Sequence, residues 1–244
     1  GYTKISDSRI EWKMESRNYT DGQLISAEDT LYSLLSNSLS YYDKNDSVWR
    51  SVNVYPSSNH TNGAAIFLGG KIYAIGGTDT HSCSIYDIGT GNWSVGPDIP
   101  SSLPGYFIPS THLTVAEDQL YAIFVEPNRS SSTFKNGSTA FAYKLNQSNS
   151  WIKLEIEDFA FISGGVAAHE NKIFFFGGTP WTGSNFTPVA STNIFKCYDI
   201  TTEEITSLSP LPQGVVDPSF FIFNDHLYVL VGPSRQFFKY SFLD

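Results

Sequence analysis

The sequence of 244 residues predicts an all-β protein, a five-bladed β-propeller of four-stranded antiparallel blades. Three observations predict this fold. A β-hairpin pattern recurs five times, each copy is followed by a tyrosine, and a tryptophan then follows the tyrosine at a nearly constant distance. The copies start 41 to 54 residues apart, and a supersecondary unit repeated at such a period is typical of a propeller blade.

Each hairpin consists of an apolar run, a short polar turn and a second apolar run with an aromatic residue near its start. Two strands joined by so short a connection form a β-hairpin. The five hairpins lie at 25–36, 66–77, 114–125, 167–178 and 221–232. Their register aromatics are Tyr32, Tyr73, Tyr121, Phe174 and Tyr228.

A third strand with tyrosine and a fourth with tryptophan complete each blade. The tyrosines are Tyr42, Tyr86, Tyr143, Tyr198 and Tyr240, and the matching fourth-strand residues are Trp49, Trp93, Trp151 and Ile205. We expect these aromatics to pack between neighbouring blades, because each can bury about 150–250 Å².

The fifth copy reaches Asp244 before its tryptophan, whereas the N-terminal run Ile10–Met14 contains Trp12. We therefore predict that Ile10–Met14 pairs with Phe237–Phe242 and closes the ring, which removes two open sheet edges. The predicted single domain spans 1–244, with blades at 21–56, 63–100, 111–157, 164–211, and 215–244 plus 8–16.

At these residues the chain resembles the kelch-repeat family. The di-glycines Gly76-Gly77 and Gly177-Gly178, the Tyr-Asp of the third strand and the tryptophan of the fourth carry the resemblance. It implies a propeller of four-stranded blades, although most kelch propellers have six or seven. Some kelch-like propellers are copper-radical oxidases or sugar epimerases, but no copper-binding set of Tyr and His can be matched here.

The composition of the chain indicates which classes of binding partner and which cellular compartment to expect. The net charge of −9 disfavours nucleic acid, and no apolar run is long enough to predict membrane insertion. Chance predicts roughly three Asn-x-Ser/Thr glycosylation sites, and the excess favours an extracellular or secretory-pathway glycoprotein over a cytoplasmic protein. The low number of cysteines, two, argues against secretion, because a secreted domain often contains several disulfides. The eight sites are Asn18, Asn45, Asn59, Asn92, Asn128, Asn136, Asn146 and Asn185.

The sequence contains no recognisable catalytic motif. It has no phosphate-binding loop, no nucleophile elbow and no histidine spacing typical of a metal site, so we expect no cofactor and no metal. Cys83 and Cys197 fall in blades that are not neighbours, which predicts two buried thiols and no disulfide. His169 and His226 fall at turns and are predicted to be exposed.

We predict that a ligand binds at the two long connections between second and third strands, because binding residues concentrate on long loops. These connections are Glu126–Ser138 and Thr179–Thr192. The loop tryptophan Trp181 either folds back or anchors a partner. The candidate ligand-binding residues are Asp79, His81, Arg129, Phe134, Trp181, Phe186 and Arg235.

We therefore expect a non-catalytic module that binds a protein or a glycan through this face. The alternatives are an enzyme of the oxidase or epimerase class with its site at the mouth of the central channel, and a purely structural domain of a larger protein.

Overall fold

The computed structural model is all-β and describes residues 23–36, 38–52, 60, 63–77, 81–100, 110–130, 133–154, 156, 161–180, 191–231 and 236–242. Its strands form five antiparallel sheets in which consecutive strands are neighbours, as predicted for propeller blades. Four of these sheets have four strands, and in the fifth three strands are described.

The strand bounds follow the five predicted copies. The first blade contains β1 (Gln23–Ala27), β2 (Thr30–Leu35), β3 (Ser38–Asp43) and β4 (Val48–Ser51). The second contains β5 (Ala64–Leu68), β6 (Lys71–Ile75), β7 (Cys83–Asp87) and β8 (Asn92–Val95). The third contains β9 (Ser110–Ala116), β10 (Gln119–Ser130), β11 (Thr133–Leu145) and β12 (Trp151–Leu154). The fourth contains β13 (Phe161–His169), β14 (Lys172–Pro180), β15 (Phe195–Asp199) and β16 (Glu204–Ser207). The fifth contains β17 (Ser219–Ile222), β18 (His226–Val231) and β19 (Gln236–Ser241).

The blades are arranged around a centre that the first strands line. β5 contacts β1 on one side and β9 on the other, and β13 contacts β9 and β17 in the same way. The fourth strands therefore lie at the outer rim. The predicted closure by Ile10–Met14 falls outside the residues that the structure describes.

The turns between first and second strands are as short as predicted. Glu117 and Asp118 have φ of 49° and 54°, and Asn224 and Asp225 have φ of 46° and 56°. Positive φ at both central residues is typical of the type I′ turn, whose twist matches that of the flanking strands.

The aspartate of the Tyr-Asp pair organises the turn between the third and fourth strands. Asp87 Oδ1 accepts hydrogen bonds from the backbone N–H of Thr90 (2.8 Å) and from its hydroxyl (3.0 Å). Asp199 Oδ1 accepts one from the backbone N–H of Thr201 at 2.8 Å. The two hydrogen bonds from Thr90 hold the pKa of Asp87 below its usual value. The recurring aspartate is thus a turn cap, which explains it without a ligand.

Neighbouring blades share four apolar cores. They join the first blade to the second, the second to the third, the third to the fourth and the fourth to the fifth. Trp151 packs against the core between the second and third blades, and its Nε1–H donates to the Pro97 carbonyl at 2.8 Å. Tyr143 donates to the Pro100 carbonyl across the same junction at 2.8 Å. These contacts confirm the predicted packing between blades for Tyr143 and Trp151.

Among the residues that the structure describes, the fifth blade is packed on the face toward the fourth blade. Leu227, Val229 and Val231 face the fourth blade and are buried. On the opposite face, Phe221 is 50% exposed and Phe237 is 64% exposed. No apolar core joins this face to the first blade within the described part of the chain.

Three expectations about individual segments can now be assessed. Cys83 and Cys197 are buried free thiols, as predicted. The expectation of a long loop at Glu126–Ser138 is wrong, because β10 continues to Ser130 and β11 begins at Thr133.

His169 and His226 are partly exposed, less than the sequence predicts. The His169 side chain is 20% exposed because its ring stacks on Phe242, with 4.2 Å between ring centroids. His226 is half-buried, and its ring lies 6.3 Å from that of Tyr228.

Candidate binding face

One face of the propeller, called the loop face here, carries the ends of the second strands, the starts of the third strands and the linkers that enter the first strands. The di-glycines lie at this face. Gly76 has φ of +69°, its N–H donates to the Ser82 carbonyl at 3.0 Å, and a Cβ added to it would lie 3.1 Å from Thr111 Oγ1 of the third blade. A glycine is needed where the backbone is left-handed and a neighbouring blade approaches closely.

The fourth blade repeats this arrangement. The Gly177 N–H donates to the Ile194 carbonyl at 3.0 Å, and the Gly178 N–H donates to the Val215 carbonyl at 2.7 Å. The Thr192 hydroxyl donates to the Gly177 carbonyl at 2.9 Å. Each di-glycine therefore ties the connection after the second strand, or the linker to the next blade, to a rigid base.

A buried histidine that the sequence did not single out stabilises the second blade. His60 is 3% exposed, with Nδ1 2.5 Å from the Gly76 carbonyl and Nε2 3.1 Å from Ser84 Oγ. Because a carbonyl only accepts, Nδ1–H donates and Nε2 accepts from the serine. Burial lowers the pKa of His60, so the ring is neutral and structural.

His81 is the candidate ligand residue whose side chain the structure places. It is half-buried just before β7, and its Nε2 is buried with no hydrogen-bond partner among the described residues. Burial lowers its pKa, while the charge of Asp98 acts in the opposite direction. The His81 ring is therefore neutral, and its buried Nε2 is an unsatisfied polar atom close to the loop face.

His112 and Asp217 form a titratable pair that the sequence also did not single out. His112 lies near the start of β9, and burial lowers its pKa to about 4, against the opposing charge of Asp217. The Asp217 N–H donates to the Ser163 carbonyl at 2.8 Å, which fixes this linker against the fourth blade. Burial therefore keeps the His112 ring neutral at neutral pH, close enough to Asp217 to interact with it electrostatically.

A two-stranded ribbon projects from the third blade at the loop face. β9 pairs with β10 as far as Ser110 and Val125, whereas β10 and β11 stay paired out to Ser130 and Thr133. We call residues 126–138 the ribbon. The second strands of the first, second and fifth blades have five or six residues, but β10 has twelve.

The ribbon brings two candidate residues together. Arg129 and Phe134 are directly opposed partners in the ladder, and opposed positions share one face of an antiparallel pair. A register shift between Pro127 and Arg129 interrupts the ladder. The glycosylation sites Asn128 and Asn136 fall within this irregular part of the ribbon.

The other predicted site residues are dispersed or outside the described part. Asp79, Trp181, Phe186 and Arg235 lie outside it, as do the glycosylation sites Asn18, Asn59 and Asn185. Asn45 and Asn92 are exposed and Asn146 is half-buried, all at turns between third and fourth strands on the opposite face.

The described residues contain no group of three or more His, Cys, Asp or Glu side chains that could hold a metal ion. Within the same ranges there is no helix that could span a bilayer.

The comparisons with known proteins agree with the repeat pattern. A kelch motif model matches residues 60–100, which cover the second blade. No curated protein matches the sequence. Among 396 matching chains of known structure, one described as "Structure of YjhT" superposes with a TM-score of 0.64 and 18% identity, over 86% of this chain and 71% of that chain. At this identity the likeness concerns the fold.

Proposed function

Since the chain is a kelch-repeat β-propeller, a fold that supports binding or interaction, we propose that it is a non-catalytic module that binds a protein through the loop face. The ribbon, residues 126–138, is the observation that carries the proposal. Asp79, His81, Trp181, Phe186 and Arg235 are the further residues that we assign to this face.

The ribbon consists of two paired strands with no third strand described beside them. Beyond Val125, β10 has lost its partner β9, so both outer edges of the ribbon carry backbone groups that no described strand pairs. A two-stranded ribbon is marginally stable by itself in water. An extended segment of a partner that adds to one edge would satisfy these groups and stabilise the ribbon.

The base of the ribbon is rigid, which favours binding. Phe124 lies in β10 two residues before the ribbon and is 2% exposed in the core between the second and third blades. Gly76 lies against the same junction. A preorganised base lowers the entropy that association costs. Arg129 and Phe134 are residue types that are enriched at the centres of interfaces.

The charge of the chain favours one class of partner. With a net charge of −9, the propeller attracts a basic protein surface and repels an acidic one, and this attraction raises the association rate. We therefore assign a basic protein as the partner. A glycan ligand is the alternative, and the experiment below separates the two.

The experiment replaces residues 127–138 by a two-residue Asn-Gly turn that joins the ladder partners Glu126 and Thr139. We expect this variant to keep the melting temperature of the wild type. Chemical cross-linking in an extract of the host should attach partner proteins to the wild type but not to the variant. The matched control is Thr90→Ala, at a turn on the opposite face, which should retain them. Binding of a glycan array that depends on the ribbon, without any protein partner, would overturn the assignment of a protein.

We also propose that the protein passes through the secretory pathway and carries glycan at some of its eight sites. The position of Asn128 and Asn136 in the irregular part of the ribbon supports this, because oligosaccharide transfer needs accessible backbone. Mass spectrometry of the protein from its native host should find glycan at one or both. Eight bare sites would overturn the proposal and favour the cytoplasm.

An enzyme with its site at the channel mouth is the second candidate function, and the pair of His112 and Asp217 favours it. A neutral imidazole next to a carboxylate can act as a general base. If the protein turns over a substrate, His112→Gln should abolish the activity without affecting partner binding. An activity that survives this substitution would exclude the pair as its origin.

A further inference from the structure

A cavity of about 390 Å³ opens between the fourth and fifth blades, on the face opposite the loop face. Turn residues of the fourth blade stand at its mouth, among them Glu170 after β13 and Thr202 after β15. Tyr240 and Phe242 of the fifth blade form its far wall. Its volume lies in the range of about 300–1,000 Å³ that small-molecule sites occupy. The ribbon lies at the other end of the blades, so this cavity is separate from the proposed partner site.

Three neighbouring strands of the fourth blade, β14, β15 and β16, line the cavity with alternate residues of one sheet face. The strand ladder arranges these residues in two rows across the sheet. The row at the turns is charged and consists of Lys172, Asp199 and Glu204. The row two residues further from the turns is uncharged and consists of Phe174, Cys197 and Thr206. The cavity therefore has a charged mouth and an uncharged floor.

The mouth of the cavity carries more negative than positive charge. Glu170, Asp199 and Glu204 place three carboxylates there, against the one ammonium of Lys172. The hydrogen bonds that Asp199 accepts within its turn go to Oδ1. Its Oδ2 can therefore accept a further hydrogen bond from a ligand.

The carboxylate of Glu204 is not explained by the repeat. Glu204 precedes Ile205 in the fourth strand, and the residues at the corresponding position of the first three blades are Val48, Asn92 and Ser150. None of these three is charged, and the fourth strand forms in each of those blades. The blade thus has no structural need for a carboxylate at this position. Glu204 is therefore a feature of the cavity and not of the repeat.

The floor of the cavity is apolar. Phe174 is 3% exposed, and Cys197 is a free thiol that is 5% exposed. Burial raises the pKa of Cys197, so the thiol is neutral at neutral pH. Above the floor the rings of Phe174, Tyr240 and Phe242 converge, with centroids 4.8 to 6.2 Å apart, and His169 stacks on Phe242. Such a wall of rings holds an apolar body and attracts a cation placed over a ring face.

The order of the two rows defines the ligand. We propose that this cavity binds a small organic amine, a primary ammonium with an aryl or alkyl body. Its ammonium pairs with Asp199 and Glu204, and its body packs against Phe174 and Tyr240. A lysine or arginine side chain of a protein would enter with its charge first, which would place the cation at the uncharged floor and away from the carboxylates. The arrangement therefore favours a free amine over a protein side chain.

The first test compares three small molecules that share a phenyl ring and differ in their head group. The probe is 2-phenylethylammonium, and the controls are 2-phenylethanol, which is neutral, and phenylacetate, which is anionic. In NMR titrations of the isotope-labelled protein we expect saturable binding of the ammonium, about tenfold weaker binding of the alcohol and none of phenylacetate. Equal affinity for the ammonium and the alcohol would overturn the proposal, as would the absence of saturable binding of the ammonium.

The second test removes one carboxylate from the mouth. Glu204→Gln keeps the size of the side chain and should weaken binding of 2-phenylethylammonium about fivefold, as expected for loss of one partly exposed ion pair, without affecting 2-phenylethanol. The matched control is Glu203→Gln, because Glu203 is also exposed and its charge acts on Tyr198 of the opposite sheet face. Equal weakening by both variants, or weakening by neither, would contradict the pairing with Glu204.

The two cysteines locate the binding, because Cys197 lines the cavity and Cys83 is buried in the core between the second and third blades. Saturating 2-phenylethylammonium should slow the alkylation of Cys197, measured by peptide mass spectrometry, and leave the rate at Cys83 unchanged. Equal slowing at both thiols, or slowing at neither, would overturn the proposed site. The variant that lacks the ribbon should bind the probe as the wild type does, so failure of this site would leave the partner-binding proposal standing.

Discussion

The second and fifth blades have the same hairpin pattern but different surroundings. Both faces of the second blade are packed, one against the first blade and one against the third, and Ile72, Ala74 and Ile75 are fully buried. The fifth blade is packed against the fourth on one face, while Phe221 and Phe237 on the other are at least half exposed. Strand formation is therefore local, whereas burial depends on what the neighbouring blade supplies.

The comparison changes how an aromatic residue in the pattern is interpreted. Tyr121 and Tyr228 are at the same register position, and both face the following blade. Tyr121 is 1% exposed against the fourth blade, whereas Tyr228 is half-buried and stacks on Phe221. A repeat pattern thus assigns a residue to a face but not to a core.

The largest expected effect tests this pair directly. Tyr121→Ala should lower the free energy of unfolding by about 3–5 kcal/mol, because it removes a large side chain from a closed core. Tyr228→Ala should cost less, about 1–2 kcal/mol, since its ring is only partly buried and packs within its own blade. Urea unfolding of both variants measures the difference. Equal losses would mean that the second face of the fifth blade is buried in the protein in solution.

A second test concerns the packed side of the fifth blade. Gly76 and Gly177 both have positive φ, but an added Cβ would lie 2.2 Å from Val215 Cγ2 at Gly177 and 3.1 Å from Thr111 Oγ1 at Gly76. Since the conformational cost is shared, Gly177→Ala should cost about 1–3 kcal/mol more than Gly76→Ala through overpacking. Thermal unfolding of the two variants compares them, and an equal loss would show that the linker at Val215 moves away freely.

The third and smallest effect concerns the junction between the third and fourth blades, where burial lowers the pKa of His112 to about 4. In the unfolded chain a histidine has a pKa of about 6.5, so the unfolded state binds the proton more tightly. The stability that neutral His112 contributes is fully present above about pH 6.5 and is lost as the pH falls toward 4.

We expect this loss to be about 2 kcal/mol between pH 7 and 4.5. His112→Gln should reduce the loss over that interval, measured by urea unfolding at both pH values. A variant with the same pH dependence as the wild type would contradict the buried, neutral state of His112.

The repeat pattern predicted most of the strands because the information is local. Alternating apolar residues and turn-forming pairs such as Asn224-Asp225 specify a hairpin without reference to the rest of the chain. The kelch-like marks then placed the tyrosines and tryptophans at the junctions, where Tyr143 and Trp151 are found.

The candidate site was predicted less well, for two physical reasons. The sequence predicts a loop at the ribbon because Pro127 and its polar neighbours lack the alternation of a half-buried strand, although proline is tolerated at a strand edge or bulge. His60 and His112 were not singled out because their burial comes from contacts between residues far apart in the sequence, which no short pattern encodes. Residue type alone gives no signal of that kind.

The sheet order has a consequence for the kinetics of folding. Every described strand pair joins consecutive strands, so each sheet can form from a short stretch of chain as soon as that stretch is available. Such local pairing has a low contact order and a small loop-closure cost. Pairing of β19 with Ile10–Met14 would instead join residues more than 200 positions apart. The blades would then assemble in sequence order during synthesis, and closure of the ring would be the slow final step.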